Sequence, residues 1–291
     1  MTFKKKVIII MKTVENIFDE VIQQEGTLFK QPEVFTLEYL PEILRFRDKQ
    51  IRAMINHSKA LNSNHAPTNM EITGPYGTGK TTAVKKYFEI IENKFNVATA
   101  YINCEFEKTE NQILTKIYNK LYKKSVKAGI TTNMLKNKIV NYLAKTEKIL
   151  IVCLDDYGSN KITSEDIDQI NKVMYTLLRA HEVNNKAKIS LITVTNRRYI
   201  NFVLSQSVET IFRPANVNFD AYSLNEINTI LSDRCKIGFA NGVINDEVIH
   251  MVAEHAYREG DLRIGIRSLY DAGRNAELVG STSIEREHLD F

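Results

Sequence analysis

The sequence predicts an α/β protein, a doubly wound parallel sheet followed by a small all-helical domain, and three observations carry that prediction. A short apolar strand, Met70 to Thr73, runs into the turn Gly74-Pro75-Tyr76-Gly77-Thr78-Gly79-Lys80-Thr81, and a helical pattern starts at Lys80. Further apolar runs, Val97 to Ile102, Ile149 to Leu154 and Ile189 to Val194, are separated by helical stretches, the arrangement of strands joined by crossovers. Beyond Asp220 the strand pattern stops and only helical spacing follows.

Taken in order, Val14, Ile17, Phe18 and Val21 give Thr13 to Gln24 helical spacing, and Gly26 ends it. Phe29 to Leu40 reads as an irregular connector. Ile51, Met54 and Ile55 place a helix from Arg47 to about Leu61, and Asn62 to Thr68 is a polar loop. The unbroken run Ile149 to Leu154 suits a parallel strand covered on both faces. The crossover from Asn103 to Lys148 is longer than one helix needs and divides into Thr109 to Lys127 and Thr131 to Lys145, broken at Gly129. Ser164 to His181 is one long helical stretch. After it come Leu224 to Phe239, Glu247 to Arg258, Leu262 to Glu277 and a fourth helix starting near Ile284. The expected division is 1–38 as an N-terminal extension and helix, 39–219 as the sheet domain with a helical insertion at about 104–148, and 220–291 as the helical domain.

Composition excludes several classes. A hydrophobic content of 43% and a charged content of 25% are ordinary for a globular chain, and no run approaches the roughly 20 apolar residues that a membrane span needs. Met1 to Met11 sets lysines before a Val-Ile-Ile-Ile run too short for a signal peptide, with no small-residue cleavage site after it; Met11 is an alternative start. Cys104, Cys153 and Cys235 fit neither a disulfide framework nor a zinc pattern, and a cytoplasmic location is expected. Net charge is only +4, but Phe106 to Lys148 carries ten lysines against three glutamates, a local +7. On the first crossover helix Lys116, Lys120, Lys123 and Lys127 fall on one stripe beside the inner face of Ile113, Ile117 and Leu121; such a stripe is either a solvated face or a contact for a phosphate backbone.

Gly74, Gly79, Lys80 and Thr81 satisfy the pattern of a loop that wraps a polyphosphate. Backbone amides and the positive end of the following helix face the anion, the lysine reaches the outer phosphates, and the Thr81 hydroxyl ligates Mg²⁺. ATP or ADP with Mg²⁺ is therefore expected on Gly74, Pro75, Tyr76, Gly77, Thr78, Gly79, Lys80, Thr81 and Thr82. A GTPase is disfavoured because no Asn-Lys-x-Asp guanine signature follows. Asp155 ends the Ile149 strand, where a carboxylate holds a Mg²⁺-bound water, and Asp156 after it is placed to orient an attacking water. Asn196, at the tip of the Ile189 strand, is a candidate for the γ-phosphate or that water. Arg263, in Gly260-Asp261-Leu262-Arg263, starts a helix with Asp261 as a plausible N-cap and is either a surface arginine or a phosphate ligand from the second domain.

These residues resemble the archaeal origin-recognition and cell-division-control initiators within the AAA+ ATPases. The resemblance rests on Ile17-Phe18-Asp19-Glu20, Tyr39-Leu40-Pro41-Glu42, Arg47-Asp48-Lys49-Gln50-Ile51, Gly74 to Thr82, Tyr101-Ile102-Asn103-Cys104, Leu154-Asp155-Asp156, Asn196, Asn218-Phe219-Asp220-Ala221-Tyr222 and Gly260 to Arg263. It implies an ATP-binding base domain with a helical lid, sensor roles for Asn196 and Arg263, adenine contacts from Tyr39, Pro41 and Arg47, and a DNA-contacting insertion that matches the extra crossover helix. It also implies DNA and replication proteins as partners. The chain departs from the pattern where Asp156 replaces the usual glutamate, which predicts slow hydrolysis with binding intact, and where Ser207 aligns with the trans-acting arginine; Arg197, Arg198 and Arg213 are not assigned that role. Family members usually continue into a winged-helix domain past the point where Phe291 ends this sequence, so DNA binding is expected to be weak and salt-dependent. Alternatives are a regulatory paralogue with little hydrolysis and no DNA grip, or another AAA+ type such as a transposition ATPase.

Overall fold

The computed structural model of the chain describes residues 27–126, 129–196 and 204–291. The helix expected over Thr13 to Gln24 and the segment before it lie outside these residues. Two compact units emerge: Leu40–Ile227 with Ala256–Leu262 holds the sheet, and residues 27–39 join Asn228–His255 and Arg263–Phe291 in the other.

The sheet is entirely parallel, built from β1 (Met70–Thr73), β2 (Val97–Asn103), β3 (Ile149–Asp155), β4 (Lys188–Thr195) and β5 (Ala215–Asn218) in the order β2-β3-β4-β1-β5. Every residue of β3 is buried, as its unbroken apolar run requires. Its alternation feeds two cores: Leu150, Val152 and Leu154 join one layer, and Ile149, Ile151 and Cys153 join the other. The fifth strand is new relative to the sequence reading. Ala-Asn-Val-Asn buries only one apolar side chain, Val217, so its position comes from pairing with β1 rather than from any pattern of its own.

Helix α1 (Asp48–His57) precedes β1, and α2 (Lys80–Lys94), α3 (Glu110–Tyr122), α4 (Thr132–Thr146), α5 (Ser164–Leu178), α6 (Ala180–Val183) and α7 (Gln206–Phe212) connect the strands. α1 stops short of Leu61 and passes into a 3₁₀ turn at Lys59–Ser63. At the break the Ser58 hydroxyl donates to Met54 O at 2.7 Å and meets the Tyr87 hydroxyl at 2.6 Å, local bonding that competes with the helix ladder. α3 starts at a reciprocal Thr109–Gln112 capping box and α4 at a Thr131 cap. α3 ends before the expected Lys127, because Lys123 turns into the left-handed region at φ +51°. The stretch expected from Ser164 to His181 divides at Arg179 into α5 and α6.

β2 is an edge strand. Glu92, near the end of α2, reaches its open flank and accepts from Thr99 N at 3.0 Å and Thr99 Oγ1 at 2.7 Å.

The second unit holds most of α8 (Leu224–Gly238), α9 (Asp246–Glu259) and α10 (Leu262–Leu278), all close to their expected bounds. Phe29, Phe35, Phe239 and Tyr270 form an aromatic core with centroids 4.7–6.0 Å apart. The fourth helix expected near Ile284 is absent among the described residues. Ile284 instead bridges Ile244, and only a 3₁₀ turn, Arg286–His288, follows.

Candidate functional site

Strand register assembles the site. Thr73 aligns with Thr195, and Leu154 with Thr193, so Gly74, Asp155, Asp156 and Asn196 all emerge at the C-terminal edge of neighbouring parallel strands. This edge, where β1 and β4 are adjacent in space but distant in sequence, is where ligands bind in open α/β sheets.

The loop from Gly74 to Thr81 needs its glycines for stated reasons. Gly74 has φ +150°, and a Cβ there would stand 2.1 Å from the carbonyl oxygen of Phe219. At Gly77, φ is +66° and a Cβ would meet the Asp261 carboxylate at 2.1 Å. Asp261 lies in the same compact unit as the loop. Gly79 caps α2 and Lys80 opens it. The Lys80 ammonium donates to Gly74 O at 2.8 Å and Pro75 O at 2.6 Å, and Thr78 Oγ1 donates to Pro75 O at 2.9 Å. Thr81 and Thr82 follow in the first turn of α2. Loop amides, a helix N-terminus and an ammonium make an electropositive cradle for phosphate.

Asp155 is 1% exposed and accepts three bonds: Thr81 Oγ1 donates to its Oδ2 at 2.6 Å, the Tyr101 hydroxyl to the same oxygen at 2.7 Å, and Asp156 N to its Oδ1 at 2.9 Å. Burial, and then the neighbouring Asp155, push the Tyr101 phenol well up, so it stays a donor. The hydroxyl of Thr81 and the carboxylate of Asp155 are hard oxygen donors in contact, a set that fits Mg²⁺.

Asp156 leaves the strand in the left-handed region, φ +54°, and its Oδ2 accepts from Asn103 Nδ2 at 3.0 Å. Burial, and then Asp155 and Glu105, raise its carboxyl above the ordinary range, while Asn103 and Lys80 oppose the shift. Glu105 N donates to Asn103 Oδ1 at 2.8 Å, which fixes the Asn103 amide with its NH₂ toward Asp156. Burial raises the Glu105 carboxyl too, but bonds from Lys161 and Ser159 outweigh it and hold the group below the usual range. Asn196 is buried one residue past β4.

The other expected site residues are placed as follows. Arg47 is 4% exposed and braces the loop: its Nε donates to Thr78 O and its Nη2 to Asp220 O, both at 2.9 Å, with the guanidinium 3.7 Å above the Tyr222 ring. Pro41 is half-buried in the sheet unit. Tyr39 belongs to the helical unit, where Arg234 lies 4.5 Å over its ring, and Arg263 is an exposed residue in the first turn of α10 in that unit. Arg197 and Arg198 lie outside the described residues, Ser207 is exposed on α7, and Arg213 donates to Thr210 O at 3.1 Å.

Two residues of the expected lysine stripe are placed on a helix. Lys116 and Lys120 are on α3, Lys123 is past its end, and Lys127 is outside the described residues. Lys116 pairs with Glu107 at 2.6 Å and Lys120 with Glu92 at 3.8 Å. Both line a groove of about 430 Å³ along β2, which Lys85 and Tyr101 also line.

Sequence reasoning missed Asn103, Tyr101 and the bracing role of Arg47. The available signal for the first two was that parallel strands in register end together: Asn103 pairs with Asp155. Among the described residues no cluster of His, Cys, Asp and Glu could hold a further metal ion, and no helix is long and apolar enough to cross a membrane.

The fold and this set of groups define a P-loop nucleoside-triphosphate-binding protein with an appended helical domain. Residues 228–290 match the Cdc6 AAA+ ATPase-type lid domain and residues 47–197 the NB-ARC domain, while an ORC1-type DNA replication protein 2 from Methanosarcina mazei is 38% identical over 274 residues, covering 94% of this chain and 72% of the relative. The chain belongs to the ORC1/Cdc6 family of AAA+ proteins. Two solved structures share the fold. The Aeropyrum pernix ORC1 protein in complex with DNA is 23% identical, with a TM-score of 0.75 over 91% of this chain and 69% of that one. The Aeropyrum pernix ORC2 protein in ADPNP and ADP complexes is 24% identical, with a TM-score of 0.75 over 90% of this chain and 71% of that one.

Proposed function

We propose that this chain is a cytoplasmic, ATP-dependent switch of DNA replication initiation that binds Mg²⁺·ATP and hydrolyses it slowly. The observation that carries the reading is the contact of Thr81 Oγ1 with Asp155 Oδ2 at 2.6 Å beside a loop lysine held by Gly74 O and Pro75 O. Lys80 is released from those carbonyls to neutralise the outer phosphates. Thr81 and Asp155 would hold Mg²⁺, which would supply charge neutralisation to the phosphates. Asp156 takes a proton from the attacking water as the water oxygen bonds to the γ-phosphorus and the bond from that phosphorus to the ADP oxygen breaks; burial raises its carboxyl above the ordinary range, which makes it a stronger base than a solvated aspartate. Asn103 holds that carboxylate in place. The aspartate side chain is one methylene shorter than a glutamate, and a misplacement of about 1 Å can cost on the order of 10²-fold in rate. Asn196 serves the γ-phosphate or the water, and Arg263 is the corresponding sensor from the lid, as the family resemblance implies.

The DNA complex of the Aeropyrum relative supports DNA as a partner, and Lys116, Lys120, Lys123 and Lys127 are the basic candidates. Lys80→Ala is expected to abolish ATP binding in equilibrium dialysis while the unfolding transition is retained. Equal ATP affinity in the two proteins would refute the site.

A further inference from the structure

Asp155 Oδ2 accepts two hydroxyl donors in this structure, Thr81 Oγ1 and Tyr101 Oη, and these fill the two lone-pair directions of a carboxylate oxygen. On the nucleotide reading above, the Thr81 hydroxyl turns from Asp155 to the metal. The carboxylate then keeps one donor on each oxygen: Asp156 N on Oδ1 and Tyr101 Oη on Oδ2. A two-point clamp of this kind fixes the plane of the carboxylate, which a single bond does not.

The phenol is itself held. Tyr101 sits on β2 in register with Cys153, two residues before Asp155 on the adjacent strand. Lys85 places its ammonium 5.2 Å over the ring, and Tyr101 lines the groove that residues of α2 and α3 also line. The ring packs against the core that holds Ile151 and Cys153, and its hydroxyl meets the one carboxylate of the site that also touches Thr81.

We infer that Tyr101 is a positioning residue for Mg²⁺: its hydroxyl fixes the orientation of Asp155 once Thr81 has left it. The inference rests on the nucleotide reading, and its effect belongs to the metal rather than to the nucleotide. Groups that orient a metal ligand typically change metal affinity by about 10- to 100-fold when removed.

The test is a titration of Mg²⁺ into the full chain with a fluorescent ATP analogue, alongside the affinity for the same analogue in EDTA. Tyr101→Phe keeps the ring and removes only the donor. The expected result is a half-saturating Mg²⁺ concentration raised about tenfold, with the EDTA affinity within about twofold of wild type. Tyr101→4-aminophenylalanine, which puts an N–H donor in the hydroxyl's place, is expected to recover most of the Mg²⁺ dependence. An unchanged Mg²⁺ titration in Tyr101→Phe would overturn the proposal. So would parallel losses in EDTA and in Mg²⁺, which mark a packing role, or a failure of the amino analogue to recover binding. A wild-type chain that binds no analogue under either condition would instead sink the nucleotide reading and this inference with it.

Discussion

Arg47→Met tests whether the loop is braced from behind. The guanidinium is 4% exposed and donates to Thr78 O and Asp220 O at 2.9 Å and to Phe46 O at 3.1 Å. Bonds made by a charged donor are each worth about 1.5–3 kcal/mol, and a desolvated cation over an aromatic ring, here Tyr222 at 3.7 Å, adds about 2 kcal/mol. Against this stands the cost of burying a charge that has no carboxylate among these partners, several kcal/mol after relaxation. Methionine keeps the apolar stem but leaves the carbonyls without their donor. The net expectation is a loss of about 2–4 kcal/mol, read from urea unfolding with an unchanged m-value. ADP affinity should also fall, by about tenfold, because Thr78 lies within the phosphate loop and its peptide loses its anchor. Arg47→Lys should not recover either quantity, since an ammonium cannot reproduce the fork that spans Thr78 and Asp220. A destabilisation below about 1 kcal/mol with unchanged ADP affinity would refute this reasoning.

Asp156→Glu should raise ATP turnover about tenfold or more at saturating ATP by restoring the missing reach, and equal turnover would show that length does not limit the rate. Because the Asp156 carboxyl is raised in the folded chain, the folded state holds that proton to higher pH than the unfolded chain does. Its contribution to stability is full below about pH 4 and is lost as pH rises through the folded value. Asp156→Asn should therefore remove a fall in the urea midpoint from about pH 4 upward, and superimposable profiles would exclude the shift. Gly74→Ala must move the Phe219 carbonyl, 2.1 Å from the new Cβ, and should cost at least about 1–3 kcal/mol in the same unfolding assay. For DNA, Lys116→Ala with Lys120→Ala should lower the slope of log affinity against log salt by about two contacts, near 1.8; an unchanged slope would remove this face from the DNA surface.

The parts legible in the sequence were those with strong local signatures. The phosphate loop is a motif with its own chemistry, and β3 announces itself by the unbroken apolar run Ile149 to Leu154. The helices of the second unit carried clear periodicity. What escaped was set by distant partners. β5 is strand only because β1 lies beside it, and Arg47 braces Thr78 and Asp220, 31 and 173 positions away. On the lysine stripe, the spacing continued the helical period past Tyr122 where Lys123 turns left-handed, because a cap is set by backbone conformation that lysine spacing does not report. Asn103 and Tyr101 belonged to a recognised segment, but their use became visible only when β2 and β3 were aligned.

The carboxylate of Glu92 bears on how copies of this chain meet one another. β2 is the longer of the two outer strands, seven residues against four in β5, and so the flank on which a foreign extended segment would find most to hydrogen-bond. Any such visitor must first evict Glu92 from the Thr99 amide and thread between the charged heads of Lys85, Lys116 and Lys120. The sheet is thus protected against runaway stacking by gatekeepers from its own helices, and the chain can keep an open border without inviting aggregation.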